Sequence, residues 1–425
     1  MNVEMEGESH QVYIKSNPKE MILFLSFFLL ILFAPAIENL AFLPLSLNIN
    51  NMLLVGVLAY LFFKQMLNPI SLYQKEYLLL LLLFLLLGMG VLGNVESGLG
   101  STKGMILDSW SILKCFLAYF VGRLAFRATV LSTNITRIQH MSRFILSGLF
   151  LLLLVNLVIP IWPSTEYRMG ITTQYLIFPH ATYLSAASFF CMVLLGLKDV
   201  RHNILFLLMG AILIFFAARN KGLIFVAIFF FLLILMTFLE KKNIKFMYLI
   251  GPASILLLLF WNVIESRLLS SETSARSLLF QGGFKIAERF KPLGSGLGTY
   301  GSGSSVSEYS PIYDWLQFYK TYGFTRDNPQ FLNDSYVAML IGQFGYLGMV
   351  IFAGIVIIFL LLISKKRGNV QLFILILFLY SMTSIVTELY LTTNLGVLAF
   401  FLMGVAMNET DENLNVEKGS GWRVR

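Results

Sequence analysis

The chain has 425 residues, of which 57% are hydrophobic and only 13% charged, and its formal net charge at pH 7 is +8. Its mean hydropathy of +0.77 excludes an ordinary soluble globular protein of this length and predicts a polytopic membrane protein. The two cysteines, Cys115 and Cys191, lie in apolar runs, so neither a disulfide framework nor a Cys- and His-based zinc site is expected.

Apolar segments recur along the whole chain. A hydrocarbon core of about 30 Å requires roughly 20 apolar residues per helix, and twelve segments qualify, some only marginally. The first begins at Met21 and is followed by further spans, which indicates a retained helix. The predicted fold is an all-α polytopic membrane protein, with spans near 21–37, 49–63, 77–93, 105–121, 144–160, 177–197, 204–218, 223–239, 246–262, 335–363, 370–387 and 394–407.

The distribution of basic residues predicts the topology. If the N-terminus is cytoplasmic, most of the 31 Lys and Arg residues fall in the tails and in alternate loops, as the positive-inside rule requires. The positive charge is therefore a topology signal, and no nucleic-acid partner is expected. The predicted order is a cytoplasmic tail (1–20), helices 1–9 (21–262), a large extracytoplasmic loop (263–333), helices 10–12 (334–407) and a second cytoplasmic tail (408–425).

A few cations fall in short loops on the outer side, where this rule disfavours them. The turn AARNK joins two apolar segments with almost no loop, so its Arg219 and Lys221 are expected at the outer membrane boundary. They either anchor the helices by snorkelling or form an anion site. Arg168 shares this side, as does His180, the one histidine expected there; a lone histidine is more often structural.

The large loop contains three notable stretches. SARSLLFQGGFKIAERF, with Arg276 and Arg289 among apolar positions, predicts a helix in the plane of the membrane interface. The next stretch is glycine-rich and forms either a flexible hinge or a turn that brings backbone N–H groups close to a ligand. An aromatic tract at 309–324 is either an interfacial belt or a stacking surface for sugars. The glycines concerned are Gly294, Gly296 and Gly298.

A polar turn, Asn333, Asp334 and Ser335, precedes the long apolar segment that follows this loop. Asp334 could take a proton from an attacking hydroxyl at the mouth of a site. The alternative is helix capping, because Asp and Ser before a helix bind its free N–H groups. Both interpretations are open at this point.

Cationic side chains on the outer side are expected to converge where the diphosphate of a lipid carrier would lie. Guanidinium groups bind phosphate oxygens through paired hydrogen bonds. Cations at a leaving diphosphate stabilise the transition state without a metal, so no cofactor is expected. The residues of this group are Arg168, Arg219, Lys221, Arg276 and Arg289.

Three motifs in this order, AARNKG, SARSLLFQGGFKIAERFKPLGSGLGTYG and NDSYVAMLIGQFGYLG, resemble the O-antigen polymerase and ligase superfamily over 167–348. Its members are C-type membrane glycosyltransferases that use sugars carried on undecaprenyl diphosphate. The resemblance implies a multi-pass enzyme of the bacterial cytoplasmic membrane, with an extracytoplasmic site and an inverting, metal-independent mechanism. It also implies that lipid-linked saccharides and membrane lipids are partners, with a chain-length regulator and a flippase as further candidates.

Carried over to this chain, the resemblance assigns the phosphate-binding arginines to Arg219 and Arg276 and the glycine-rich turn to the three glycines above. Asp334 takes the position of the ligase histidine and Ser335 that of the following asparagine; a shift of one residue would put Asn333 there instead. Because that histidine is missing, the chain is expected to polymerise repeat units of O-antigen, capsule or exopolysaccharide. The alternatives are a ligase that acts on lipid A core and, in another class, a flippase for the same lipid-linked sugars.

Overall fold

The computed structural model describes residues 18–40, 51–52, 54–60, 72–126, 130–239 and 274–409. The predicted span 246–262 lies wholly, and 49–63 partly, outside the described residues. The same holds for most of both predicted tails and for the first part of the large loop.

Helices dominate the described residues, and the only strands there form one two-stranded hairpin. Ten of the twelve predicted spans coincide with helices, whose ends differ from the predicted ones by a few residues in most cases. The helices are α1 (Pro18–Leu40), α2 (Gln74–Ser97), α3 (Thr102–Ala125), α4 (Val130–Thr133), α5 (Ile135–Val158), α6 (Ala181–Leu195), α7 (Val200–Phe216), α8 (Asn220–Leu239), α9 (Ala275–Arg289), α10 (Gly303–Ser307), α11 (Pro311–Trp315), α12 (Tyr336–Ile363), α13 (Gly368–Thr387) and α14 (Asn394–Ala406). The strands are β1 (Tyr167–Arg168) and β2 (Ile171–Thr172).

Several of these helices have the dimensions of membrane spans. Within the described ranges, six are long and apolar enough to cross a bilayer: α1, α2, α3, α5, α12 and α13. Four shorter apolar helices, α6, α7, α8 and α14, accompany them. The prediction of a helical membrane protein is therefore supported at this level.

The backbones of α3 and α14 are in direct contact through glycines. A Cβ at Gly122 would overlap the carbonyl oxygen of Phe401, and one at Gly404 would overlap that of Tyr119. Small residues allow such close approach between apolar helices. The contact holds the segment that precedes α14 beside α3, where it lines the cavity described below.

The glycine-rich turn of the large loop is buried between α2, α3 and α12. All three glycine N–H groups donate within the protein: Gly294 N to Phe290 O (2.8 Å), Gly296 N to Gln343 O (2.9 Å) and Gly298 N to Asp108 Oδ2 (2.9 Å). These groups are therefore not free to donate to a ligand, and the turn acts as a scaffold.

Asn94 of α2 fixes the same turn from the other side. Its Nδ2 donates to Leu297 O (2.8 Å) and its Oδ1 accepts from Leu297 N (2.6 Å). The neighbouring Gly296 has a φ of +93°, and a Cβ there would overlap the backbone nitrogen of Asn94. Only glycine meets both requirements, the left-handed backbone and the close approach.

The large loop has a hydrophobic core of its own, separate from that of the bundle. Tyr313 and Phe318 of the aromatic tract are buried there against Leu279 and Ile286 of α9. Neither interpretation of the tract, interfacial belt or sugar-stacking surface, anticipated this role. The exposed rings of the tract are those of Trp315, Tyr319 and Tyr322.

Polar contacts group the helix ends into two sets. In one set, Arg123 pairs with Glu76 (3.0 Å) and binds Asn408 after α14, and Lys366 donates to Glu409 O (3.0 Å). All these ends are on the predicted cytoplasmic side. The other set contains the ion pairs of Glu166, Asp334 and Glu388, which are described below. They join segments on the predicted outer side, as expected when successive spans alternate in direction.

We expect Gly296→Ala to destabilise the protein by roughly 2–6 kcal/mol, because a strained backbone and overpacking add up at this position. The measurement is the thermal unfolding of the purified protein in detergent. Gly88→Ala is the matched control, since a Cβ at Gly88 meets nothing within 4 Å and alanine favours the helix. Equal melting temperatures of the two variants would contradict the scaffold role of the turn.

Candidate functional site

Arg219 lies in the tight turn between α7 and α8. The left-handed Ala218 (φ +48°) reverses the chain there, and the Arg219 side chain is only 14% exposed. Its Nη2 donates to Glu166 Oε2 (3.0 Å) and lies 2.6 Å from Nε2 of His180. Its Nε is buried and has no hydrogen-bond partner among the described residues. One guanidinium N–H therefore lacks an acceptor.

Glu166 holds two guanidinium groups at once. It precedes the β1–β2 hairpin, and its Oε1 accepts from both Nε (2.9 Å) and Nη2 (2.5 Å) of Arg168. Burial raises the pKa of Glu166, but the Arg168 hydrogen bond and the charges of Arg219 and Arg168 outweigh it, so the pKa is lowered. Glu166 is thus a stable anion that orients Arg219. Glu166 lies outside the motifs that predicted the site.

His180 is the N-cap residue of α6. Burial lowers its pKa, and the charge of Arg219 lowers it further, so the imidazole is predominantly neutral at pH 7. A neutral imidazole has a single acceptor nitrogen. The 2.6 Å contact with Arg219 and the 3.3 Å contact of Nδ1 with Thr182 N compete for it, and the shorter, charge-assisted one is the stronger.

Arg276, in the first turn of α9, lies beside Asp334. Its Nη2 is 3.4 Å from Asp334 Oδ2, and both side chains are about one-third exposed. As in Arg219, the Nε of Arg276 is buried and has no partner among the described residues. Burial raises the pKa of Asp334, the charge of Arg276 lowers it and that of Glu388 raises it; the net direction is upward.

Asp334 is not the N-cap residue of α12. The cap residue is Ser335, whose Oγ accepts from Ala338 N (3.2 Å). Helix capping, one interpretation of this polar turn, therefore applies to Ser335, whereas Asp334 pairs with Arg276. Ser335 is 1% exposed, so its predicted role in substrate binding has little surface to act through.

Glu388 links the two arginine sites and, like Glu166, lies outside the motifs that predicted the site. It follows α13 and forms an ion pair with Lys221, whose ammonium also lies 5.1 Å from the ring centroid of Tyr380. The charge of Glu388 acts on the pKa values of His180, Arg219 and Asp334. Its position directly after a predicted span was a sequence signal for a residue at the membrane boundary.

Not all predicted cations join this group. Arg289 is thirteen residues after Arg276 on the same helix, a separation of roughly 20 Å along the axis, and it stacks on Trp315 (4.5 Å to the ring centroid). The expected convergence therefore excludes Arg289. Arg168 and Lys221 do belong to the group, although each is paired with a carboxylate.

Asn333 lines a cavity of about 320 Å³. The cavity opens beside Asp334 and Glu388, since Asn333 and Leu389 of its lining are their neighbours in the chain. Its other walls come from α3, from the start of α10, from α12 and from the segment between α13 and α14. The lining residues are Asp108, Ser111, Ile112, Ser302, Gly303, Asn333, Met339, Leu389, Thr392 and Thr393.

The described residues contain no group of three or more His, Cys, Asp or Glu side chains that could hold a metal ion. Comparisons of the chain with protein-family models, with curated proteins and with solved structures find no match.

Proposed function

We propose that this protein is a membrane glycosyltransferase that polymerises oligosaccharide repeat units carried on undecaprenyl diphosphate. The observation that carries the proposal is the pair of buried, unpartnered Nε–H groups of Arg219 and Arg276. A buried donor without an acceptor costs about 1–3 kcal/mol, so each of these donors favours binding of an anionic ligand.

A diphosphate matches this arrangement. Its oxygens accept hydrogen bonds, and guanidinium groups keep their charge at any physiological pH. When the bond between the anomeric carbon and the diphosphate breaks, negative charge grows on the leaving oxygen. Arg219 and Arg276 would stabilise this charge more strongly in the transition state than in the ground state.

Asp334 would complete the reaction as the general base. The acceptor hydroxyl attacks the anomeric carbon, Asp334 accepts its proton, and the diphosphate leaves with the bonding electron pair, which inverts the anomeric configuration. The burial that raises the pKa of Asp334 makes it a stronger base than an exposed aspartate. Its 3.4 Å contact with Arg276 Nη2 fixes the position of this carboxylate.

The first prediction of this proposal concerns Arg219. We expect Arg219→Ala to reduce polymer formation by about 10²- to 10³-fold, the typical loss for one donor to a developing anion. Arg219→Lys should restore little, since an ammonium cannot replace the planar fork. The measurement is gel analysis of polymer made by purified enzyme from lipid-linked repeat units, without lipid A core.

Arg137→Ala provides the control, because Arg137 is exposed and lies at the opposite set of helix ends. All three variants should elute as monodisperse protein. Undiminished polymer with Arg219→Ala would remove this residue from the site. A requirement for lipid A core would indicate a ligase, and movement of the intact lipid-linked unit without bond formation would indicate a flippase.

The second prediction distinguishes the general base, Asp334, from the helix cap, Ser335. Asp334→Asn should lower turnover by about 10²- to 10⁴-fold, as expected for loss of a general base, and leave the melting temperature nearly unchanged. Ser335→Ala should do the opposite and destabilise α12 by about 1 kcal/mol. Normal polymer formation by Asp334→Asn would transfer the role of base to another residue, with His180, Asp327 and Glu308 as the candidates.

The third prediction is a pH dependence. Asp334 must be ionised to act, and its pKa is raised above the ordinary aspartate value. Activity should therefore fall on the acid side, with a midpoint above that of an exposed aspartate. Glu388→Gln removes a negative charge that raises this pKa, so it should move the midpoint to lower pH. The measurement is kcat/KM against pH; a midpoint that does not move would contradict the coupling.

A further inference from the structure

The cavity beside Asp334 differs in chemistry from the charged group at its edge. No Lys, Arg or His occurs among its ten lining residues, and its single charged member is Asp108. The other polar residues of the lining are Ser111, Ser302, Asn333, Thr392 and Thr393, which carry hydroxyl and amide groups. The diphosphate site and this cavity are therefore suited to different ligands, or to different parts of one reaction.

Asp108 has little capacity left for a ligand. Its Oδ2 accepts from Gly298 N (2.9 Å) and from Gln343 Nε2 (2.8 Å), and its Oδ1 accepts from the hydroxyl of Ser304. No described Lys, Arg or His side chain lines the cavity, so a ligand carboxylate inside it would lose its hydration without gaining a cationic partner, which is unfavourable.

Two lining side chains are free to bind a ligand. The hydroxyl of Ser111 and the amide of Asn333 line the cavity, and neither has a hydrogen-bond partner among the described residues. Ile112, Met339 and Leu389 provide apolar surface in the same space. Hydroxyl and amide groups combined with apolar surface fit a sugar ring, which has hydroxyls at its edge and C–H groups on its faces.

The cavity is also placed next to the reacting groups. Asn333 of its lining precedes Asp334, and Leu389 follows Glu388. A sugar in the cavity would therefore lie beside Asp334, whereas the phosphates would lie at the arginines. We infer that this cavity is the acceptor subsite and that it takes an uncharged sugar. The inference rests on the proposed function and adds to it the class of the terminal acceptor sugar.

Saturation-transfer NMR tests this inference without any polymerisation. The probes are neutral methyl glycosides of glucose, galactose, mannose and N-acetylglucosamine, each at millimolar concentration, together with the methyl glycosides of glucuronic and galacturonic acid. With purified wild-type protein we expect saturation transfer to at least one neutral glycoside and none to the two acidic ones.

Two variants fill the cavity from two different helices. Ser111→Leu does so from α3. Gly303→Leu does so from α10, where a Cβ would meet nothing within 4 Å and the fold should tolerate the change. Both should abolish saturation transfer to the neutral glycosides. Ser109→Leu, the same substitution on the same helix but outside the lining, should leave it unchanged.

The inference would be overturned by saturation transfer that survives both filling variants, by equal transfer to acidic and neutral glycosides, or by no transfer to any neutral glycoside. A separate assay with lipid-linked repeat units tests the proposed function. A wild-type protein that makes polymer but fails the NMR test keeps its function and loses this subsite. One that passes the NMR test but makes no polymer is a saccharide-binding membrane protein, and the proposed function fails.

Discussion

The carboxylate of Asp108 is the point on which the end of the structure that carries the candidate site depends. It lies inside an apolar helix and accepts hydrogen bonds from a loop backbone, a loop hydroxyl and a side chain of α12. An uncompensated carboxylate at such a position would be costly. Its three donors offset that cost, and they join α3, the large loop and α12 at one place. The distance between Asp334 and the cavity wall formed by α3 is set by this junction.

Charged pairs complete the assembly around this junction. Four cations, Arg168, Arg219, Lys221 and Arg276, contact the three carboxylates Glu166, Asp334 and Glu388. Burial lowers the pKa of Arg219, and repulsion by the charge of Arg168 lowers it further. The carboxylates reduce such repulsion when no anionic ligand is bound. The guanidinium groups therefore keep their orientation. Preorganised donors of this kind stabilise developing charge without reorganisation during the reaction.

Much of the fold followed from the sequence, because the length and spacing of apolar runs are local properties. The AARNK sequence lies in a turn between two apolar helices, as predicted, since the short linker leaves Arg219 and Lys221 no other position. The buried rings of Tyr313 and Phe318 were not anticipated, because only tertiary packing distinguishes a loop core from an interfacial belt. Glu166 and Glu388 were missed for a related reason: their partners are 53 and 167 residues away in sequence. Arg289 was wrongly grouped with the other cations, because its charge does not decide where it lies. The length of α9 places it roughly 20 Å from Arg276.

The ion pairs of these cations also affect how tightly the site should bind a diphosphate-linked substrate. A diphosphate that binds to Arg219 and Arg276 must compete with Glu166 and Asp334 for the same guanidinium groups, so part of the attraction is offset before chemistry begins. Tight binding of the ground state would lower KM without raising kcat. As charge builds on the leaving oxygen, the unpartnered Nε–H groups gain an acceptor that the carboxylates do not supply. The arrangement would thus direct its strongest hydrogen bonds to the transition state, which the proposed polymerase would need in order to release each spent carrier and accept the next.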